Sequence, residues 1–115
     1  MPDLHMGDAV YRFQADVIER VVRPGQPGNY ALGERDDAGQ FYPLFIGWSH
    51  RDVAAELKSR LGTVTFSFFK FTTSGPRNAY DLACANYHTF GAQLQNGSHP
   101  EAPPGSGYTC FLCGR

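Results

Sequence analysis

Apolar residues recur along this chain with distinct spacings, and the spacings predict its elements. From Pro76 to Gly91 a proline opens and a glycine closes a segment in which Ala79, Leu82, Ala83 and Tyr87 repeat at helical spacing, the mark of one amphipathic helix. Val53, Leu57 and Leu61 recur every four residues behind a Ser49 or Asp52 cap and before Gly62, which predicts another helix with Arg51, Glu56, Lys58 and Arg60 on its outer face. Phe13, Val17 and Val21, flanked by Ile18 and Val22, predict a shorter helix that stops before Pro24. Thr63 to Thr73 alternates β-branched and aromatic residues with small polar ones, as a strand does. Phe41 to Ser49 is a nearly continuous apolar run, expected for a strand buried on both faces, with Pro43 where no ladder donor is needed. Asn29 to Leu32 predicts a short strand antiparallel to it, the two joined by a hairpin loop from Gly33 to Gly39.

Together these elements predict an α+β fold: a small, three-stranded, mainly antiparallel sheet flanked by helices. A length of 115 residues suits one domain with a single layered core. Residues 1–27 read as an N-terminal lead-in, loose from Met1 to Gly7, followed by the short helix, and residues 28–115 as the domain itself. After Gly91 the composition shifts to Gly, Pro, Ser and Asn without apolar periodicity until Tyr108, and a loop of that length in a compact domain needs a tether. Nine Phe, six Tyr and one Trp are more aromatic residues than a disordered chain carries. The sequence has no apolar run long enough for a helical membrane span, and its acidic, weakly hydrophobic start is unlike a signal peptide, so a cytoplasmic setting is expected. The net charge of -1 divides unevenly: residues 1–56 carry five basic and nine acidic groups, residues 57–115 five basic and two acidic. A basic second half suits phosphate contacts, although its small excess is also what a solvated surface carries.

Cysteine usage changes the picture. Of three cysteines, Cys110 and Cys113 form a C-x-x-C followed by Gly114, the form of a zinc knuckle in which a tight turn aims backbone N–H groups at the thiolates. They supply half a site, and the other two ligands must come from Cys84, His88 and His99. Cys84 and His88 stand four apart and share one helix face. His88 is preferred first because it lies near the helix end, Cys84 next by the shared face, and His99, on the loop before Pro100, last. The metal expected is a structural zinc that fastens the loop from Gly91 to Tyr108 onto the helix. A catalytic zinc would need an open position and a nearby acid or base, and the tail offers only Glu101.

The order of strand with GNY, hairpin, strand with FIG, helix, strand, helix, His-Pro pair and C-x-x-C resembles the GIY-YIG endonuclease family, and in particular its small bacterial members with a C-terminal His/Cys motif. The resemblance covers Gly28 to Cys113. It places the first-motif glycine and tyrosine on Gly28 and Tyr30 and the second-motif tyrosine on Phe45, which keeps the ring and loses the hydroxyl. The family's helix arginine falls on Glu56, and its metal-binding glutamate, four residues after the position of Ala79, falls on Ala83. Hydrolysis in that family needs a divalent ion on the glutamate and a tyrosine to activate water, so Mg²⁺ or Mn²⁺ would be a cofactor only if cleavage were retained. The resemblance therefore implies a nuclease-like domain that binds nucleic acid, DNA before RNA, with hydrolysis impaired or lost. Trp48, Arg51, Lys70 and Arg77 offer the aromatic faces and cations for such binding. Two other readings stay open: an active nuclease in which Ala83 stands by substitution for the catalytic glutamate, and a protein-interaction module on a degenerate nuclease scaffold.

Overall fold

The computed structural model describes residues 4–95 and 99–114. In chain order the elements are β1 (Tyr11–Arg12), α1 (Ala15–Val21), β2 (Gly28–Arg35), β3 (Phe41–Ser49), α2 (Val53–Arg60), β4 (Phe68–Thr73), α3 (Pro76–Phe90) and a 3₁₀ turn at Gly91–Gln93. The architecture is α+β, with one sheet of four antiparallel strands in the order β1-β4-β2-β3. Residues 11–21 thus supply β1 and α1 to the same sheet and core as the rest of the chain.

β2 holds the centre. It pairs with β3 from Gly28↔Ser49 to Arg35↔Phe41 and with β4 from Gly28↔Thr73 to Gly33↔Phe68, and its residues from Gly28 to Gly33 are all buried. The double burial expected of Phe41–Ser49 therefore belongs to β2. β3 is an edge strand and mostly half-buried. The register slips between Leu32 and Gly33, which puts Pro43 opposite Gly33 at an irregularity where a missing donor is tolerated. Beyond that edge the Gln93 side-chain amide donates to the Pro43 carbonyl at 2.8 Å, and the Gln95 N–H donates to the Leu44 carbonyl, so the edge is partly covered.

Four further expectations need correcting. The sheet has four strands because Tyr11↔Phe69 and Arg12↔Phe68 pair, and a two-residue strand is too short to show alternation. The strand expected from Thr63 begins only at Phe68: Leu61 bridges Val64, the Thr63 hydroxyl donates to the Arg60 carbonyl at 2.9 Å, and the Ser67 N–H donates to Glu34 Oε2 at 2.9 Å. Leu4 and Met6 are buried beside Ala31 and Ile46, so the lead-in from residue 4 onward is packed rather than loose, while residues 1–3 lie outside the described residues. The hairpin is tighter than expected, since β2 runs on to Arg35 and Asp36 Oδ1 accepts from the N–H groups of Ala38 and Gln40, each at 2.9 Å.

Alternation on β2 divides the core between the two sheet faces. Tyr30 and Leu32, with Phe69 of β4, pack under α1 and α2 against Ile18, Val22, Val53 and Leu57. Ala31 and Ile46 lie on the other face, against Tyr87 and Phe90 of α3. α2 starts as its sequence predicts: Asp52 caps it by accepting from the Ala55 N–H at 3.1 Å, and Ser49 Oγ accepts from the Asp52 N–H at 2.9 Å. Pro76 opens α3, and the buried Asn29 ties the sheet to it by donating from Nδ2 to the Ala79 carbonyl at 2.6 Å. Among the described residues no helix is long and apolar enough to cross a membrane.

Candidate metal centre and adjoining cleft

α3 ends at Phe90, which leaves His88 exposed in its last turn, and the returning tail brings His99, Cys110 and Cys113 to it. One ligand atom from each of the four lies within 4.8 Å of all the others, with His99 and Cys110 buried and His88 and Cys113 exposed. His99 Nε2 is 3.4 Å from Cys113 Sγ, and His88 Nε2 is 3.6 Å from Cys110 Sγ. Around a tetrahedral zinc with the usual Zn–N and Zn–S lengths, a nitrogen–sulfur edge is about 3.6 Å. Two thiolates and two imidazoles at this spacing are the donor set and the size that zinc takes.

Local chemistry prepares the donors. His99 Nδ1 lies 2.8 Å from the Pro100 carbonyl, which can only accept, so Nδ1 carries the proton and Nε2 offers its lone pair towards the cluster. Burial pushes the Cys110 thiol up, but backbone N–H groups of Leu112 and Cys113, with the Cys84 thiol assisting, bring it down to about 6. Cys110 is thus a ready thiolate at neutral pH. The turn that aims those N–H groups is closed by Gly114, whose N–H donates to the Cys110 carbonyl at 2.7 Å.

Of the three candidates for the remaining places, the structure brings in His88 and His99, so the preference for Cys84 over His99 is corrected. Cys84 does share a helix face with His88, but it points into the core beside Tyr80 and Cys110, fully buried. Burial above all pushes its thiol up to about 12. His99 is held by its ring contacts with Tyr87 and His88, each 5.2 Å between centroids, and by its bond to the next carbonyl. Those contacts cross between tail and helix, and no periodic spacing announces them.

Next to the metal donors runs a cleft of about 570 Å³ between the edge of β3, α2 and the segment from His99 to Glu101. Tyr30, Phe45 and Glu56, three of the positions singled out by the family resemblance, all line it. Gly47 makes this possible, because Tyr30 lies across the place where a Cβ would stand. The Tyr30 and Phe45 rings stack at 6.4 Å, and Arg60 completes the group: its Nε donates to the Tyr30 hydroxyl at 3.1 Å, its Nη2 to Glu56 Oε1 at 3.3 Å, and its guanidinium lies 5.0 Å over the Phe45 ring. Arg60 stands one helical turn after Glu56, so the i, i+4 spacing was the available signal for it. Burial raises the Tyr30 hydroxyl to about 12 against the opposing pull of Arg60, which leaves it a poor source of phenolate at neutral pH.

The other singled-out residues scatter. Ala83 is buried in α3, the helix that covers the opposite sheet face from Tyr30. Trp48 lines the cleft and packs edge-on against Tyr80 at 5.4 Å. Arg77 lies 5.2 Å over the Tyr108 ring and pairs with Asp81 at 3.4 Å, which places it in the same aromatic run, since Tyr108 is 5.9 Å from Tyr80. Lys70 stands over Phe41 at 6.0 Å, away from the cleft, and Arg51 is exposed in the turn before α2. Comparison with protein-family models, with curated proteins and with solved structures found no match for this chain.

Proposed function

We propose that this protein is a zinc-stapled, nuclease-like domain that binds nucleic acid, DNA before RNA, without cleaving it. The observation that carries this reading is the convergence of Tyr30, Phe45 and Glu56 on one cleft whose far wall is the segment anchored by His99. The means to hydrolyse a phosphodiester are lacking there: Tyr30 stays protonated, Phe45 has no hydroxyl, and Glu56 spends the guanidinium of Arg60. Zinc would be held by His88, His99, Cys110 and Cys113, closing a four-ligand structural site and fixing the tail on α3. Arg51 and Arg77 supply phosphate contacts beside the cleft, and Trp48 offers a stacking face within it.

The test is an anisotropy titration with single- and double-stranded oligonucleotides at two salt concentrations. Binding that weakens with salt is expected, and its absence at low salt for every DNA and RNA tried would end the reading. Incubation with plasmid and Mg²⁺ or Mn²⁺ should leave the plasmid intact, for the native chain and for Ala83→Glu alike. Cleavage restored by Ala83→Glu would instead favour the active-enzyme reading.

One observation favours the protein-interaction reading. Phe111 and Leu112, between the two ligand cysteines, are 62% and 53% exposed, so the knuckle displays two large apolar side chains together. Self-association or partner binding that disappears in Phe111→Ser with Leu112→Ser, in protein free of nucleic acid, would support it.

A further inference from the structure

The charges that face the cleft do not suit a phosphate. Among the described residues Arg60 is its single cation, already engaged by Tyr30 and Glu56, whereas Glu56 and Glu101 bring two carboxylates. His99 has both ring nitrogens placed elsewhere, Nδ1 at the Pro100 carbonyl and Nε2 beside Cys113 Sγ. The cleft therefore presents more acceptor than donor charge, and an entering phosphate would meet repulsion on two sides. Glu101 has no hydrogen-bonding or ion-pair partner among the described residues, while Arg60 keeps N–H groups beyond the two it uses. Trp48 and Pro100 supply flat apolar wall.

A planar ligand with neighbouring N–H donors on one edge and acceptors on another matches that arrangement. Among nucleobases guanine has both: N1–H and the N2 amino group for a carboxylate, O6 and N7 for a guanidinium. Its donor edge is free only when the base is unpaired, so the ligand is single-stranded or extruded from a duplex. The volume lies within the range of small-ligand clefts and admits one base with its sugar. We infer that the cleft is a base-reading pocket for an unpaired guanine, with Glu101 and Arg60 as the groups that recognise it and Trp48 as the stacking face. This rests on the nucleic-acid reading above and places the phosphate contacts outside the cleft.

Trp48 is the only tryptophan in the chain, so its fluorescence reports occupancy of the pocket directly. Short single strands of thymine carrying one central guanine, adenine or cytosine hold phosphate contacts constant and vary only the base. The guanine strand should quench Trp48 and bind about tenfold more tightly than the adenine strand, the discrimination one good pair of base contacts gives. Glu101→Gln, at an exposed position, should cut that preference to about threefold or less while circular dichroism and metal content stay native. Arg60→Lys should also lower it. Equal binding of all strands, a preference untouched by Glu101→Gln, or displacement of the guanine strand's quench by millimolar inorganic phosphate at constant ionic strength would overturn the inference and leave the nucleic-acid reading intact. Failure of every strand to bind would overturn both.

Discussion

Tyr30 reaches the cleft because residue 47 has no side chain: a Cβ there would fall on the tyrosine ring. Gly47→Ala should therefore destabilise the fold by about 1–3 kcal/mol in urea titration, the usual cost of overpacking, and Tyr30→Ala in the same chain should leave Gly47→Ala almost without effect. Tyr30 also sets a pH response. Its hydroxyl titrates near 12 in the fold against 10 in a free chain. The unfolded state thus loses its proton first, so the stabilisation is complete below about pH 10 and declines as pH rises towards 12. The loss amounts to about 2–3 kcal/mol, and Tyr30→Phe should remove that part of the alkaline slope in thermal melts. Residue identity alone made the tyrosine and the glycine visible as parts of short motifs. It did not show that one lies across the other, because that depends on the register Tyr30↔Gly47 between two strands.

At the scale of elements, patterns confined to one segment were readable and patterns set by partners were not. α3 and α2 follow their apolar periods and caps closely, since a helix makes its hydrogen bonds within itself. Asp52→Ala should accordingly cost about 1 kcal/mol in chemical denaturation by freeing the Ala55 N–H, with little change in fold. Strand burial escaped because an apolar run cannot say which strand lies in the middle: β2 is covered by pairing with β4, residues far along the chain. Thr63 to Ser67 alternates like a strand, yet its backbone is satisfied by Arg60 and by the Glu34 side chain. The candidate site shows the same division. The helix rule found His88 and the C-x-x-C turn found the two cysteines, but His99 reaches the cluster only through the tail's tertiary course, and Cys84 faces inward on the same helix face. Metal analysis of single variants separates the two: Cys84→Ala should retain about one zinc per chain, whereas His99→Ala or Cys110→Ser should lose most of it.

For the whole molecule, the tail from residue 99 to 114 has no helix or strand, and it meets the rest of the fold at the four clustered donors and at the contacts of Tyr108 with Tyr80 and Arg77. Zinc at this site should contribute several kcal/mol, so chelation should lower the melting temperature and bring proteolytic cuts after Gly91, while Cys110→Ser with Cys113→Ser should make melting insensitive to chelator. His99 belongs to the candidate metal cluster and to the wall of the cleft at once, two residues from Glu101. Occupancy of either place therefore biases the same short segment, and thermodynamic reciprocity follows: whatever factor by which zinc tightens the hold on a cleft ligand, that ligand must tighten the hold on zinc. A saturating oligonucleotide should slow the escape of zinc to a chelator, which makes the rate of metal loss a measure of what the cleft contains.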